Sequence, residues 1–259
     1  MSKKLQPERL QKVLANLGRG SRREIEQWIR EQRITVNGRV AQLGDQITLE
    51  DKVTINGRPV RFPEEKFQTR VILYHKPVGE ICSHNDVTGE GSVFQNLPKL
   101  PGGRWIGVGR LDVSSSGLLL FTNDGALANK LMHPSSNIQR EYVVRVLGEA
   151  SEEVLQNLTA GVQLEDGIAR FEHIVRSESK GVNHWYYVVV TEGRNRLVRR
   201  LWESQGMKVN RLKRVRYGHI ILGSMPKQGG HRELTQKEIN PFLALLTTEE
   251  DADDSKVLK

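Results

Sequence analysis

The strongest constraint on the fold is a change in hydrophobic pattern near residue 62. Before it, residues 10–17 place apolar side chains at the i, i+3, i+4 and i+7 positions of a half-buried helix. After it come longer β-rich segments, interrupted by two helical stretches, "GALANKLMHP" and "SEEVLQNLTAG". The β-rich segments are "RVILYHKP", "GLLLFTN", "REYVVRVLG" and "HWYYVVVTEG". Strands that alternate irregularly with helices predict an α+β fold, in which a mixed, mainly antiparallel sheet has flanking helices.

The segment before this change reads as a small module. "SRRE", at residues 21–24, is a capping box, so a second helix begins there after the glycines at 18 and 20. Two strand-turn-strand candidates follow, "ITVNGRV" and "VTINGRPV", and each turns on Asn-Gly, a strong hairpin signal. The order helix, basic turn, helix and small sheet resembles the α-L RNA-binding module of a small-subunit ribosomal protein over about residues 5–62. The resemblance implies a phosphate-contacting face made of Arg19, Arg22, Arg23, Arg30 and Arg33.

Four regions follow from these patterns. Residues 1–62 form the small module, and the polar, proline-containing residues 63–70 form a linker. Residues 71–245 form the larger domain. Residues 246–259 are acidic and poor in apolar side chains, which predicts a disordered tail.

The charge of the chain indicates a polyanionic binding partner. Its 259 residues carry a net charge of +8, and two segments concentrate the positive charge. Residues 9–39 hold eight Lys/Arg and three Glu, and residues 193–216 hold nine Lys/Arg and one Glu. Two separated basic patches favour a nucleic-acid partner over a membrane surface, although two solvated faces of a basic protein would look the same.

Other classes of protein are disfavoured. No apolar run reaches the roughly 20 residues of a membrane span, and the start lacks the apolar core of a signal peptide. The single cysteine, Cys82, excludes an internal disulfide and a multi-cysteine zinc site. We therefore expect a cytoplasmic protein with no metal and no membrane contact.

One acid is out of place in "GVGRLDVSSSGLLLFTNDG". Asp112 lies between Leu111 and Val113, ahead of the apolar run at 118–121. Asp is a favoured helix N-cap, yet Gly117 makes the following segment a poor helix start. The spacing fits neither a serine-hydrolase elbow nor a dinucleotide or phosphate loop, and no site for a methyl donor is evident. From these residues alone, a cap or turn and a functional carboxylate both stay open.

A partner for this acid lies in "TEGRNRLVRRLWESQG", which offers Arg194, Arg196, Arg199 and Arg200. A carboxylate removed from water stays ionised only if it is paired. If one of these guanidinium groups reaches Asp112, the acid is a competent nucleophile in a dry pocket.

Two segments carry a family resemblance. "GRLDVSSSGLLLFTNDGALANKLMHPS" and "EGRNRLVRRLWESQG" resemble the pseudouridine synthases that modify ribosomal RNA, in the branch of small-subunit synthase A and large-subunit synthase B. "LYHKPVGEIC" and "RLKRVRYGHIILGSMPKQGGHREL" fit the same branch, and "RWIGVGRLD" and the layout are most similar to its large-subunit members. The resemblance covers nearly the whole chain except the tail.

The resemblance implies a cofactor-free isomerase that converts a specific uridine of ribosomal RNA, in the large subunit or its precursor particle, to pseudouridine. Asp112 would be the nucleophile, Arg199 its partner, and Tyr142 the aromatic contact of the target base. Val198 would form an apolar wall of the pocket. The implied substrate contacts also include Arg110, Arg194, Arg196, Lys76, Arg19, Arg22 and Arg23. We expect the enzyme to act as a monomer.

Each role has an alternative. Tyr142 also fits an ordinary core position, and Arg199 also fits a phosphate contact, with Arg194 or Arg196 then pairing with the acid. Lys76 and its neighbour His75 suit a turn beside the site, and Cys82 suits a small buried position. The competing function is a non-catalytic rRNA-binding or ribosome-assembly factor, which explains the arginines but not the acid.

Overall fold

The computed structural model describes residues 7–62, 68–83, 89–178 and 181–254, with side chains described as far as residue 246. The chain divides into two units. The first unit comprises Met1–Thr69 and Lys99–Trp105, and the second comprises Arg70–Pro98 and Ile106–Lys259. The grouping of Lys99–Trp105 with the first unit is not foreseen from the sequence. Part of the predicted linker, residues 63–67, lies outside the described residues.

The first unit has two helices and six short strands among its described residues. The elements are α1 (Leu10–Asn16), α2 (Arg22–Arg30), β1 (Glu8–Arg9), β2 (Ile34–Val36), β3 (Arg39–Val40), β4 (Gln46–Ile47), β5 (Val53–Ile55) and β6 (Arg58–Pro59). The sheet of this unit has the order β3-β2-β5-β6, all antiparallel, and β1 pairs with β4.

The local signals in this unit form as predicted. At the start of α2, the Glu24 N–H donates to the Ser21 hydroxyl at 3.2 Å, and the Ser21 N–H donates to the Glu24 carboxylate at 2.7 Å. Both hairpins turn at Asn-Gly, where Asn37 and Asn56 each have φ of 50°. The capping box and the two turns are therefore confirmed, and both follow from short-range chemistry.

The second unit is built around a nine-stranded sheet. The elements of the unit are β7 (Val71–Lys76), β8 (Ile106–Val108), β9 (Ser116–Thr122), α3 (Gly125–Met132), β10 (Arg140–Leu147), α4 (Glu152–Ala160), β11 (Val162–Leu164), β12 (Gly167–Ala169), β13 (His173–Arg176), β14 (Asn183–Val190), α5 (Leu197–Glu203), β15 (Val209–Tyr217), β16 (Ile220–Ile221), β17 (His231–Glu233) and α6 (Gln236–Asp254). The main strand order of the sheet is β13-β14-β10-β15-β9-β7-β17, with β16 paired to β15 and β8 paired to β9.

Among the described strands of this sheet, the parallel pairing is that of β9 with β15, and the other pairs are antiparallel. The predicted α+β fold with a mixed, mainly antiparallel sheet is confirmed. The short pair β11 and β12 forms a separate hairpin.

Gly117 explains how β9 and β15 approach each other. Its φ is +110°, and a Cβ built on it would lie 2.2 Å from the backbone oxygen of Arg214. A residue with a side chain therefore cannot occupy this position without separating the strands. The glycine that interrupts "SSSGLLLF" in the sequence is the point where the two antiparallel halves of the sheet join.

Apolar side chains on one side of the sheet pack against α3 and α6. Leu118 and Leu120 of β9 are fully buried in this cluster, together with Leu131 of α3 and Phe242 of α6. Burial of each such side chain contributes about 1.5–3 kcal/mol. The cluster holds β9 firmly, so the loop that precedes β9 has a rigid base.

The predicted disordered tail begins at residue 246, whereas α6 continues to Asp254. Leu243, Leu245 and Leu246 pack against the core and anchor the helix. Once a helix is nucleated, each further residue adds with little cost, so α6 can extend beyond the residues that pack against the core. Residues 255–259 lie outside the described part of the chain. No helix among the described residues is long and apolar enough to span a membrane.

Candidate active site

Asp112 lies in the loop that joins β8 to β9. The two strands are antiparallel neighbours, with Val108 opposite Leu120, so the chain must reverse direction between them. The reversal begins at Gly109, with φ of +79°, and includes a turn in which the Ser115 N–H donates to the Asp112 carbonyl at 3.0 Å. A strand follows this loop, so the helix-cap interpretation of Asp112 is excluded. The turn uses the backbone of Asp112 and leaves its carboxylate free for other contacts.

The buried side chain of Lys76 supports the backbone of this loop. Its side chain is fully buried at the end of β7, and its ammonium donates to the carbonyls of Asp112 at 3.1 Å, Ser115 at 2.9 Å and Pro77 at 2.9 Å. Burial lowers the pKa of Lys76. The expectation that Lys76 contacts substrate is therefore wrong, since all three of its donors are occupied by backbone oxygens. It supports the backbone of the Asp112 loop.

The carboxylate of Asp112 faces Arg199. The distance from Arg199 Nε to Asp112 Oδ2 is 3.9 Å, and the side chains are 8% and 32% exposed respectively. Neither this Nε nor the carboxylate makes a hydrogen bond within the described part of the chain. The acid is thus half-buried rather than fully buried, and it lies against a cation without being held by it. This geometry leaves the carboxylate oxygens accessible beside a positive charge.

Arg199 is immobilised by other contacts. Its two terminal nitrogens donate to the Val209 carbonyl at 3.0 Å and to the Ser114 carbonyl at 3.1 Å. Burial is the main cause of its lowered pKa, and Asp112 acts in the opposite direction. The guanidinium therefore joins α5, the start of β15 and the Asp112 loop.

The other arginines considered as partners of Asp112 pair elsewhere. Arg196 lies 3.3 Å from Glu203, and Arg194 lies 3.0 Å from Asp166. The alternative in which Arg194 or Arg196 pairs with the acid finds no support in these contacts. Both arginines nevertheless line the same cavity as Asp112.

The cavity beside Asp112 has a volume of about 1140 Å³. Tyr142 of β10 and Val198 of α5 line it, although they are only 9% and 4% exposed. Tyr142 is thus both a core residue of its strand and a wall of the cavity, so the two interpretations of this residue are compatible. Its hydroxyl has no hydrogen-bond partner among the described residues. Arg110 is exposed at the same cavity.

Positive charge dominates the lining. Five arginines contribute to it against two acids, Asp112 and Glu192. The arginines are Arg110, Arg140, Arg194, Arg196 and Arg214. A cavity with this charge balance favours a polyanionic ligand such as an RNA strand.

Three further cavity residues, Arg140, Arg214 and Tyr217, are not predicted from the sequence. Arg140 and Arg214 are 6% and 3% exposed, and their guanidinium carbons lie 5.1 and 5.3 Å from the ring centre of Tyr217. The Arg214 Nε donates to the Leu118 carbonyl at 2.7 Å, which ties β15 to β9 a second time. The available signal was the near-alternation of apolar and basic residues in "VNRLKRVRY", which is typical of a strand with one buried face.

Cys82 and His75 lie close to the site but are not set up for catalysis. The Cys82 thiol donates to the Leu111 carbonyl at 3.3 Å, and burial raises its pKa, so the reactive thiolate is disfavoured. The His75 ring contacts the Pro226 carbonyl at 2.9 Å, and burial lowers its pKa. The described residues contain no cluster of His, Cys, Asp and Glu that could hold a metal ion.

In the first unit, most of the predicted basic face is open. Arg19, Arg22 and Arg23 are exposed. Arg33 differs, because it pairs with Glu31 at 3.0 Å and stacks on Trp28 at 5.1 Å. Arg19, Arg22 and Arg23 lie just before α2 and in its first turn, where the backbone N–H groups of a helix also favour anions, and the exposed Arg30 lies at the other end of the helix.

Comparisons with known proteins agree on one family. The model of the RNA pseudouridylate synthase family matches residues 70–204, and the model of the S4 domain matches residues 8–53. Ribosomal large subunit pseudouridine synthase B of Vibrio cholerae is 55% identical over 235 residues, which are 90% of this chain and 73% of that protein. The protein of the same name from Salmonella typhimurium is 53% identical over 242 residues, 92% of this chain and 83% of its own.

A solved structure described as a pseudouridylate synthase has the same fold. It superposes with a TM-score of 0.63 at 26% sequence identity, over 90% of this chain and 99% of its own.

Proposed function

The chain belongs to the RNA pseudouridylate synthase family, and from this premise we propose that its substrate is a uridine in the RNA of the large ribosomal subunit. The resemblance seen in the sequence is confirmed, and with it the isomerase activity. The proposed subunit follows from the names of its relatives, which are large-subunit synthases. Because the family consists of RNA pseudouridylate synthases, the alternative of a non-catalytic RNA-binding factor is not supported.

One observation carries the chemistry that we propose. The Asp112 carboxylate borders a basic cavity, 3.9 Å from the guanidinium of Arg199, without accepting a hydrogen bond from the described residues. A carboxylate whose oxygens are not engaged in hydrogen bonds is available to act as a nucleophile. We assign to Asp112 the role of nucleophile and to Arg199 the role of its charge partner.

Conversion of uridine to pseudouridine retains every heavy atom of the nucleotide. The bond from the ribose C1′ to the base N1 breaks, and a bond from C1′ to the base C5 forms. The hydrogen on C5 leaves as a proton, and N1 carries a proton in the product. The proposed role of Asp112 is to form a transient covalent bond with the nucleotide so that the base can detach and turn over.

The cavity walls suit a base that has left its stack. Extrusion of a base costs a few kcal/mol, and contact with an aromatic side chain returns roughly 1–3 kcal/mol. We propose that Tyr142 contacts the face of the target base and that Val198 provides an apolar wall. Arg110 and Arg196 would contact the phosphates that flank it, whereas the donors of Arg194, which was also expected to contact substrate, are occupied by Asp166, Gly167, Ile168 and Glu192.

We propose that the two units divide the work. The S4 domain, with exposed Arg19, Arg22 and Arg23, would bind RNA phosphates without reading sequence. The larger domain would carry out the isomerisation. We propose that the enzyme acts as a monomer. Ribosomal RNA as substrate implies that the enzyme works in the cytoplasm, where subunits are assembled.

Tritium release tests the proposed substrate. Ribosomal RNAs labelled at C5 of uridine lose one tritium for each pseudouridine formed. Large-subunit RNA, either free or as a precursor particle, is expected to release close to one equivalent per molecule, and small-subunit RNA none. Release from small-subunit RNA alone would contradict the proposed subunit. Pseudouridine mapping in cells that lack the gene should show the loss of one modification, which identifies the uridine.

A further inference from the structure

The segment that carries Arg199 begins in a strained conformation. Arg196, immediately before α5, has φ of 49° and ψ of 26°, in the left-handed region that non-glycine residues rarely adopt. Its side chain does not cap the helix, and α5 has only seven residues. A short helix with this start needs support from outside, because strained residues persist only where their surroundings hold them.

The support comes from Asp166, in the turn between β11 and β12. Its two carboxylate oxygens each accept a hydrogen bond from Arg200, both at 2.8 Å. One of these oxygens also lies 3.0 Å from Arg194. A single carboxylate thus binds one arginine on each side of the strained Arg196.

The hairpin backbone adds to this contact. Arg194 donates to the carbonyls of Asp166 at 3.1 Å, Gly167 at 3.2 Å and Ile168 at 2.7 Å. The side chains of Arg194 and Arg200 are only 21% and 24% exposed, whereas Asp166 is 43% exposed. Isolated surface ion pairs contribute little, but two-point arginine–carboxylate bonds within a network have defined geometry.

We propose that Asp166 is a positioning residue, which holds residues 194–200 so that the guanidinium of Arg199 stays opposite the Asp112 carboxylate. This inference rests on the proposed function, because Arg199 and Asp112 carry the chemistry there. Asp166 touches neither of them in this structure. It acts through Arg194 and Arg200, which it ties to the β11–β12 hairpin.

The test compares Asp166→Asn with Glu165→Gln. Both variants remove one negative charge from the same turn, but Glu165 is exposed and acts on Arg200 only through its charge, without an ion pair or hydrogen bond within the described residues. Amide hydrogen exchange of residues 197–203 is expected to be at least fivefold faster in Asp166→Asn than in Glu165→Gln. Equal exchange rates in the two variants would overturn the proposal.

Single-turnover kinetics provide the second measurement. Asp166→Asn is expected to lower the rate of isomerisation by about 3–30-fold while RNA affinity changes less than twofold. Glu165→Gln is expected to leave both within twofold of the unmodified enzyme. An unchanged rate in Asp166→Asn, or a loss confined to RNA affinity, would overturn the positioning role.

Two controls keep the result interpretable. If Asp166→Asn does not fold, Arg200→Gln breaks the same contact from the other side and is judged by the same two measurements. If the unmodified enzyme is inactive on every ribosomal RNA, the proposed substrate fails, and hydrogen exchange alone then decides whether the contact holds α5.

Discussion

Gly117 gives the most quantitative prediction, because its surroundings leave no room for a side chain. A Cβ at this position would lie 2.2 Å from the backbone oxygen and 2.6 Å from the backbone nitrogen of Arg214. Ordinary contact begins near 3.4 Å. In Gly117→Ala the two strands must therefore separate by about 1 Å, which exceeds the roughly 0.5 Å range of backbone hydrogen-bond lengths.

The expected cost follows from three contributions. An alanine at φ of +110° costs about 1–3 kcal/mol in backbone strain. Over-packing adds about 1–3 kcal/mol, and each weakened backbone hydrogen bond costs about 1 kcal/mol. The parallel junction of β9 with β15 consists of two residue pairs, so it has little redundancy. Because these contributions overlap, Gly117→Ala is expected to destabilise the domain by about 3–5 kcal/mol.

Urea unfolding measures this cost, and Gly229→Ala is the matched control. Gly229 also has a positive φ, of +82°, but a Cβ there would meet nothing within 4 Å. The control is expected to lose about 1–2 kcal/mol from strain alone. The reasoning would be refuted if the free energy of unfolding of Gly117→Ala were within about 1 kcal/mol of that of the control.

Three further predictions concern separate parts of the chain. Lys76→Met removes the three hydrogen bonds that the ammonium donates to backbone carbonyls around the Asp112 loop. The single-turnover rate of isomerisation should therefore fall at least tenfold, while RNA affinity, measured by filter binding, stays within twofold of the unmodified enzyme. A variant as active as the unmodified enzyme would contradict the supporting role of Lys76. Hydrogen bonds from Arg232 lower the pKa of Glu238 to about 2, so this carboxyl stabilises the fold above its ordinary pKa near 4.5, and the contribution is lost as pH falls towards 2. Urea unfolding should show Glu238→Gln about 1–2 kcal/mol less stable at pH 7 with a difference that shrinks at low pH, and a pH-independent difference would contradict this. Neutralising Arg22 and Arg23 should flatten the log–log salt dependence of RNA binding by about 0.7 for each arginine that pairs with a phosphate, whereas an unchanged slope would mean that they face away from RNA.

The features that the sequence predicts well depend on neighbours in the chain. The capping box at Ser21 and the turns at Asn37 and Asn56 need only residues two or three positions away, and each forms as expected. The order of the elements follows in the same way from hydrophobic spacing. The family resemblance adds the candidate site, because it selects Asp112 and Arg199 from many charged residues.

The features that the sequence does not predict depend on long-range contacts. Lysine is usually a surface residue, and only the fold shows that three backbone oxygens replace water as hydrogen-bond acceptors of the Lys76 ammonium. Spacing alone cannot decide which arginine reaches Asp112, since the start of α5 at a left-handed residue determines where Arg199 lies. Strand β15 was missed because its buried face carries Arg214, whose charge hides the apolar alternation.

The central claim is that Asp112 supplies the reacting carboxylate while the rest of the cavity binds RNA. Asp112→Asn keeps the size of the side chain and removes its charge. The control is Ser114→Ala, which changes an exposed side chain of the same loop and keeps the backbone carbonyl that binds Arg199. Tritium release from C5-labelled large-subunit RNA should be abolished in Asp112→Asn and unchanged in Ser114→Ala, with RNA affinity retained in both. Full release from the Asp112→Asn variant would contradict the account.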